Sequence, residues 1–253
     1  MKIGYLLASS VIFVSLTHGA MAANGNVYDV QQTGTGDTDT VIQSGSDNTA
    51  GTPANKLRQT GAHDSLKVNQ NGTHNTVEST GGWGVQSGSN DSVTITQGTG
   101  SSNGKNGGGD HDHDRDHDDH DHDGDHDDGH DKQGNNGATS NYAEAFYKQT
   151  GNNDTLTITQ TGGSASSDNI SYITQSGNKD TGSITQSGNG GWASITQGGS
   201  SDTASITQSG PGDQASIIES GTGNTTTIVQ SGKGSFASVN LAGSSGHVAI
   251  TQH

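Results

Sequence analysis

Residues Ser183–Gly210 read SITQSGNGGWASITQGGSSDTASITQSG, and the tetrapeptide SITQ occurs three times in this stretch at a spacing of eleven residues. Glycine and small residues fill most of the space between the three copies. A catalytic site needs a few unlike residues at unlike positions, whereas like residues at an equal spacing are suited to stacking. The stretch therefore predicts a repeat architecture in which similar units stack on one another.

The same unit recurs along most of the chain, and the glutamine that ends SITQ is taken as its position 1. Between Gln32 and Gln252 lie fifteen units, of which eleven are eleven residues long. Position 3 is glycine in every unit except the one that opens at Gln97. The position 1 glutamines of the C-terminal half are Gln149, Gln160, Gln175, Gln186, Gln197, Gln208 and Gln230. The position 3 glycines there include Gly151, Gly177, Gly188, Gly199, Gly210, Gly221 and Gly232.

Within a unit, alternate positions share a face in the manner of a β-strand. Positions 8, 10 and 12 hold, for example, Ala204, Ile206 and Gln208, whereas positions 7, 9 and 11 hold hydroxyl side chains. A period of two that is rich in β-branched residues predicts a strand. The S-G-x-G that follows predicts a tight corner, where glycine takes backbone angles that other residues avoid. Each unit therefore predicts one strand and one corner.

Two ladders are expected to hold such a stack together. Isoleucine or valine at position 10 predicts an inward aliphatic ladder, and glutamine at position 1 predicts a polar ladder of stacked amides, as in cross-β assemblies. The aliphatic ladder of the C-terminal half includes Ile158, Ile184, Ile195, Ile206, Ile217 and Ile228.

The positions of the four long units favour two strands per rung. The long units open at Gln43, Gln70, Gln97 and Gln160, and these are the second, fourth, sixth and eighth units counted from Gln32. If two strands make one rung, every even corner lies on the same edge, and all four insertions are expected at that edge. The prediction is an all-β, two-strand-per-rung β-solenoid of about eight rungs.

The composition and the N-terminus indicate an exported chain. Only 25% of the residues are hydrophobic, which normally means disorder unless a strict repeat lets the units bury one another. Residues 1–22 are interpreted as a signal peptide that ends in an A-x-A cleavage site, and no later segment is expected to span a membrane. The mature chain then divides into repeats at 23–97, an insertion at 98–140 and repeats at 141–253.

The unit resembles Q-x-G-x-x-N-x-A-x-x-x-Q, the repeat of the curlins, which are the subunits of the curli amyloid fibres of bacterial biofilms. One matching unit consists of Gln197, Gly199, Asp202, Ala204 and Gln208. An earlier unit keeps Gln70, Gly72, Asn75 and Val77. The resemblance implies a secreted solenoid from a Gram-negative bacterium that passes the Sec route and a dedicated outer-membrane pore. It also implies end-to-end polymerisation into extracellular fibres, often started by a nucleator subunit.

One departure from the curlin pattern concerns the asparagine of position 6, which is often aspartate here. Stacked carboxylates repel one another unless they are protonated or bound to cations. Assembly at neutral pH is therefore less favoured than the resemblance alone implies. The aspartates are Asp37, Asp64, Asp91, Asp154, Asp180, Asp202 and Asp213.

The insertion contains an acidic, histidine-rich run, which is predicted to be a disordered, solvated loop at the even-corner edge. From Asp110 to Asp131 there are twelve aspartates, seven histidines and one arginine. Imidazoles suit Zn, Cu and Ni and carboxylates suit Ca, so the run is expected to capture divalent metal ions with low specificity. The candidate ligands are His111, His113, His117, His120, His122, His126, His130, Asp112 and Asp121.

The sequence points to a non-enzymatic protein that needs no cofactor. No set of residues forms a credible acid–base or nucleophile arrangement, and a formal net charge of −16 disfavours nucleic-acid binding. The expected partner is a second copy of the chain. The alternatives are a monomeric surface adhesin, a metal-scavenging protein and, because hydroxyl rows line the outward faces, an ice-binding solenoid.

Overall fold

The structure is a computed structural model that describes residues 25–33, 35–98, 142–163 and 167–253. The described residues form nineteen strands and one short 3₁₀ helix, Thr80–Gly82, and none of their helices is long and apolar enough to cross a membrane. The strands before the insertion are β1 (Val27–Tyr28), β2 (Val30–Gln32), β3 (Thr38–Ser46), β4 (Thr49–Ala50), β5 (Leu57–Gln59), β6 (Ser65–Thr73), β7 (Asn75–Glu78), β8 (Val85–Gln86) and β9 (Ser92–Gly98). Those after it are β10 (Ala143–Gln149), β11 (Thr155–Gln160), β12 (Asn169–Gln175), β13 (Thr181–Gln186), β14 (Trp192–Gln197), β15 (Thr203–Gln208), β16 (Gln214–Thr222), β17 (Thr225–Gln230), β18 (Phe236–Ser244) and β19 (His247–Gln252).

The strands form two parallel sheets that the chain visits in turn. Sheet B has eight strands in the order β3-β6-β9-β11-β13-β15-β17-β19. Sheet A follows the order β1-β4-β7-β10-β12-β14-β16-β18, and β2, β5 and β8 complete its first three levels. One strand position from each sheet makes a level, so eight levels are linked by about seven turns. The predicted β-solenoid with two strands per rung is confirmed.

The register between levels matches like residues with like residues. In sheet B, Ile184 pairs with Ile206 and Gln186 with Gln208, and the next level continues the match with Ile228. The core lies between the two sheets, where all six isoleucines of the predicted aliphatic ladder are fully buried. Burial of these side chains is the main apolar contribution to the stability of a chain with so few hydrophobic residues.

Two of the long units place their extra residues within a strand of sheet A, although a corner insertion was expected. Residues 52–56 leave the sheet between β4 and β5, and residues 79–83 leave it between β7 and β8. The flanking halves stay in register, since Glu78 pairs with Phe146 and the Gly84 N–H donates to the Tyr147 carbonyl. The expected position is therefore wrong for these two units. Unit length fixes how many residues are extra, but it does not fix where they leave the sheet.

The two outer faces of the solenoid differ in chemistry. Sheet B presents mainly threonine and serine, as in the row Thr159, Thr185 and Thr207. Sheet A carries a group of aromatic rings from the third to the sixth level, which we call the outer aromatic cluster. It consists of Trp83, Phe146, Tyr172 and Trp192, with neighbouring ring centroids 4.5–6.1 Å apart. Trp83 belongs to the excursion at 79–83, so its contacts hold that excursion against the sheet.

Candidate functional site

The glutamines of position 1 form two hydrogen-bonded columns, which we call the glutamine columns. In sheet B each Nε2 donates to the Oε1 of the glutamine one level on, from Gln43 to Gln252, at 2.8–3.0 Å. In sheet A the same bonds join Gln86, Gln149, Gln175 and Gln197 at 2.8–3.1 Å. An amide carries both a donor and an acceptor, so a column of identical amides satisfies itself.

Each glutamine also ties its own sheet to the opposite one. Gln208 in sheet B donates from Nε2 to the backbone carbonyl of Trp192 in sheet A, at 3.0 Å. Gln197 in sheet A donates in the same way to the carbonyl of Thr181 in sheet B, at 3.1 Å. Trp192 and Thr181 are the first residues of β14 and β13, so each bond links the end of a strand in one sheet to the start of a strand in the other. The glutamine columns therefore close both edges of the solenoid.

The column in sheet A ends one level before the column in sheet B. Gln197 donates to Glu219 Oε2 at 2.9 Å, and the residue that pairs with Glu219 at the next level is Leu241. Glu219 Oε1 is buried and has no hydrogen-bond partner among the described residues. Burial raises the pKa of Glu219, and the nearby carboxylates of Asp202 and Asp180 add to the effect. A carboxylate here accepts the last bond of the column and donates none.

The predicted turn glycines lie where neighbouring levels come closest. A Cβ on Gly177 would overlap the carbonyl oxygen of Gly199, and the same overlap recurs along the column of position 3. Of the seven predicted turn glycines only Gly221 has a left-handed φ, at 136°. Left-handed angles at these corners fall instead on residues such as Lys179. Glycine is therefore required mainly for close approach of backbones, and not for the unusual backbone angles that the sequence suggested.

Six of the position 6 aspartates stack in one column at the corner that leads into sheet B. In each of them Oδ1 accepts the backbone N–H of the column residue one level on, at 2.8–3.1 Å. All six are buried. We call this the aspartate column, and its members are Asp37, Asp64, Asp91, Asp154, Asp180 and Asp202.

The second carboxyl oxygen of these aspartates is left without a partner. Oδ2 of all six is buried and accepts no hydrogen bond from the described residues. Burial, opposed in part by the backbone hydrogen bonds, raises the pKa of Asp91 to about 6 and that of Asp154 to about 7. Burial also raises the pKa of Asp64 and Asp180. A carboxylate accepts hydrogen bonds but cannot donate, so it fits this corner less well than an amide.

The corner column of sheet A is built differently. Asn48 Oδ1 accepts the N–H of Asn75 at 3.1 Å, and Asn169 Oδ1 accepts that of Gly191 at 2.9 Å. Asp213 is an aspartate in this column, but its Oδ2 accepts the Gly210 N–H at 3.1 Å. The sequence contains a signal for this difference. The six members of the aspartate column belong to odd-numbered units and Asp213 to an even-numbered one, so unit number could have assigned them to different corners.

The metal-ligand candidates of the insertion fall outside the described residues, as do the predicted signal peptide and nearly all of the insertion. Those candidates are His111, His113, His117, His120, His122, His126, His130, Asp112 and Asp121. Within the part of the chain that the structure describes, no group of three or more histidine, aspartate or glutamate side chains is arranged to hold a metal ion.

Comparison with known proteins bears on one stretch of the solenoid. A family model described as the curlin associated repeat matches residues 177–210, which include β13, β14 and β15. No curated protein and no solved structure was found to match the chain. In the matched stretch, Gln186, Gln197 and Gln208 belong to the two glutamine columns. The resemblance to curlins that the repeat predicts is therefore confirmed over residues 177–210.

Proposed function

We propose that this chain is a structural subunit of an extracellular, curli-like fibre and that it polymerises end to end. The observation that carries the proposal is the open edge of a regular parallel stack. Among the described residues, β3 pairs only with β6 and β19 only with β17. Each therefore leaves a row of backbone N–H and C=O groups that a further strand can use, and proteins that stay monomeric usually block such rows.

The residue columns favour a second copy of the chain as the strand that pairs there. Ile250 and Gln252 of β19 lie in the same columns as Val41 and Gln43 of β3. A copy stacked on β19 in the same register would place like residues over like residues. The aliphatic column and the sheet B glutamine column would then continue across the junction.

The curlin associated repeat and the solenoid fold point to a structural protein rather than to an enzyme. We infer the rest of the function from the sequence: Sec-dependent export, passage through a curli-type pore, a nucleator partner, and a role in biofilm matrix and adhesion. The acidic histidine-rich insertion supports capture of Zn, Cu, Ni or Ca along such a fibre, with no cofactor required for the fold.

The outer face of sheet B supports a second candidate function. Its threonine row, Thr159, Thr185 and Thr207, has the flat, regular spacing that ice-binding faces use. A solenoid that acted through this face, or as a monomeric adhesin, would have no need to elongate. Thermal hysteresis of a non-fibrous chain would favour the ice-binding candidate.

Polymerisation is tested by a variant that blocks one edge. The Gly246 and Gln252 carbonyls accept N–H groups from the preceding level, so the alternating residue Ala249 presents its own N–H to the open edge. Ala249→Pro removes that N–H without removing a bond to β17, and Ala249→Ser is the matched control. We expect thioflavin-positive fibres with a cross-β reflection near 4.8 Å from the native chain.

The proline variant should stop the growth of native fibres when it is added at a small fraction of the subunits, whereas the serine variant should be incorporated without effect. A native chain that stays folded and monomeric at all concentrations and pH values tested would exclude polymerisation. It would leave the adhesin and ice-binding candidates.

A further inference from the structure

The aspartate column stacks six acidic side chains at the position where the curlin repeat has asparagine. The asparagine that follows them in the stack, Asn224, makes a hydrogen bond that the aspartates lack. Asn224 continues the column one level beyond Asp202. Its Oδ1 accepts the Gly246 N–H at 3.0 Å, just as each aspartate Oδ1 accepts the N–H beyond it. Its Nδ2 donates to the Gly243 carbonyl at 3.2 Å, and this is the bond that the aspartates lack.

A proton on Oδ2 would restore that bond at the aspartates. Gly221 pairs in register with Gly243, so its carbonyl stands to Asp202 as the Gly243 carbonyl stands to Asn224. The asparagines of the sheet A corner make the same contact, from Asn48 to the Gly72 carbonyl at 3.0 Å and from Asn169 to the Gly188 carbonyl at 2.8 Å. An unionised carboxyl group carries one O–H donor and can take the place of the amide N–H.

The space around the aspartate column can hold a proton but is too small for a hydrated metal ion. A Cβ on Gly151 would overlap Asp154 Oδ2, and the same holds for Gly177 and Asp180. The unpartnered oxygens therefore pack against backbone, and a hydrated cation has no room beside them. The ion pairs of the described residues, Lys56–Asp29 and His74–Asp47, involve none of the six.

The charged groups that face the column are mostly acidic. Each inner aspartate has an aspartate at the level before it and another at the level after it. Glu219 faces Asp180 and Asp202. The basic residues next to column members in the sequence are His63, before Asp64, and Lys179, before Asp180. Levels are spaced by roughly 4.8 Å, a distance at which like charges in a buried site repel strongly.

We propose that the inner members of the aspartate column, Asp64, Asp91, Asp154 and Asp180, bind protons in the folded solenoid, so that folding takes up protons and mildly acidic surroundings favour it. The column is then a proton-binding site whose occupancy controls the fold. The inference holds whether or not the chain polymerises, because the column lies within a single chain.

The direction of the pH dependence follows from linkage. Burial raises the pKa of Asp91 to about 6 and of Asp154 to about 7, above the value near 3.8 of an exposed aspartate. A group with a raised pKa contributes stability that is complete below its unfolded pKa and is lost as the pH rises through its folded pKa. Folding is therefore favoured most near pH 4 and progressively less up to about pH 7.

The test uses the chain without its predicted signal peptide and a triple variant, Asp91→Asn, Asp154→Asn and Asp180→Asn. Asp213→Asn is the matched control, because both of its oxygens already accept backbone N–H groups. Infrared spectra at about pH 5.5, where exposed carboxyl groups are ionised, should show the C=O band of buried carboxylic acid in the native chain. The band should be clearly weaker in the triple variant, which keeps Asp64 and the buried Asp39, and unchanged in the control.

Proton uptake on refolding from denaturant gives an independent measurement at the same pH. We expect roughly one proton each for Asp91 and Asp154 in the native chain and a clear loss of uptake in the triple variant. A native chain without the carboxylic-acid band, whether monomeric or fibrous, overturns the proposal even if the triple variant does not fold. Fibres whose band weakens in the triple variant support it, and a monomer with the same difference supports it while polymerisation fails. An equal band in the native chain and the folded triple variant overturns it.

Discussion

The glutamine columns and the aspartate column run side by side along the same stack, yet only the glutamine columns satisfy themselves. Gln160 Nε2 donates to Gln186 Oε1 at 3.0 Å, and Gln186 repeats the bond to Gln208 at 2.9 Å. Asp154 and Asp180 are equally buried, but each keeps one oxygen without a donor. Asn224, in the same column as these aspartates, does donate through its Nδ2, so the missing bond is due to the carboxyl group and not to the corner.

This difference shows what a stacked repeat requires of a polar residue. Every level donates to one neighbour and accepts from the other, so a side chain that repeats along the stack must do both. An amide can, and an ionised carboxyl group cannot. Aspartate therefore makes the stability of the stack depend on pH, whereas glutamine contributes at every pH at which the protein is folded.

The largest effect is expected from a change that forces the levels apart beside both columns. Gly177→Ala would bring a Cβ into the Gly199 carbonyl and into Asp180 Oδ2. We expect a loss of about 4 kcal/mol or more in the free energy of unfolding, measured by urea denaturation with circular dichroism. Gly198→Ala is the control, since its Cβ would meet only Ser176 Oγ at 3.6 Å. Equal stabilities of the two variants would contradict the close-approach explanation.

A break within a glutamine column should have the next largest effect. Gln186 accepts hydrogen bonds from Gln160 Nε2 and from Ser171 Oγ, at 3.0 and 2.8 Å, and donates to Gln208. Gln186→Ala leaves buried donors unpaired, and we expect a loss of about 3 kcal/mol in the same assay. Gln214→Ala, at an exposed position of β16, should change stability little. A loss for Gln186→Ala as small as that for Gln214→Ala would mean that the column contributes no stability.

Asp39 is a partly buried aspartate whose column contains no other carboxyl group, so it tests the effect of one charge by itself. Asp39 stands in register with Leu66, which is followed by Val93 and Leu156 at the next two levels, and burial raises the pKa of Asp39 to about 6. Asp39→Leu should raise the free energy of unfolding by about 1–2 kcal/mol near pH 7.5. The gain should shrink towards pH 5, because protonation removes the same charge from the native chain. An unchanged gain at both pH values would assign it to packing instead of charge.

The smallest effect is expected where a carboxyl group ends a glutamine column. Glu219→Gln keeps the acceptor for Gln197 and replaces the unpartnered oxygen by an N–H donor that can reach the opposite sheet, as Gln197 does with the Thr181 carbonyl. We expect a gain of about 1 kcal/mol near neutral pH. The raised pKa of Glu219 implies that the gain fades in acid, and parallel urea titrations at two pH values would measure this. A loss of stability at neutral pH would mean that an N–H donor in place of Glu219 Oε1 finds no acceptor.

Much of the fold could be predicted because the repeat is strict. Unit parity fixed two strands per level, and position 10 identified the isoleucines that the core buries, such as Ile206. The five extra residues at 52–56 and 79–83 were assigned to corners, because a count of residues carries no information about which hydrogen bonds are interrupted. The sequence also could not show why position 3 is glycine. The close contact between backbones at neighbouring levels can be seen only when the strand register and the spacing of the levels are known.

The candidate site was predictable in its members but not in its bonds. The spacing of Gln186, Gln197 and Gln208 indicated ladders of stacked amides. It could not show that each Nε2 also reaches a carbonyl of the opposite sheet, because that depends on the side-chain rotamer at the corner. The sequence predicted that the position 6 aspartates repel one another. Only the structure shows that each of the six in the aspartate column has one bonded oxygen and one oxygen without a partner.

The outer aromatic cluster gives this protein a localised optical reporter. Both tryptophans of the chain, Trp83 and Trp192, belong to it, so intrinsic fluorescence reads only the middle of the stack. Levels that fray from either end would lower the circular dichroism signal while the emission stays constant. Coincident transitions would instead indicate one cooperative unit. The position of two rings therefore lets a simple denaturation curve distinguish a stack that unravels from one that collapses as a whole.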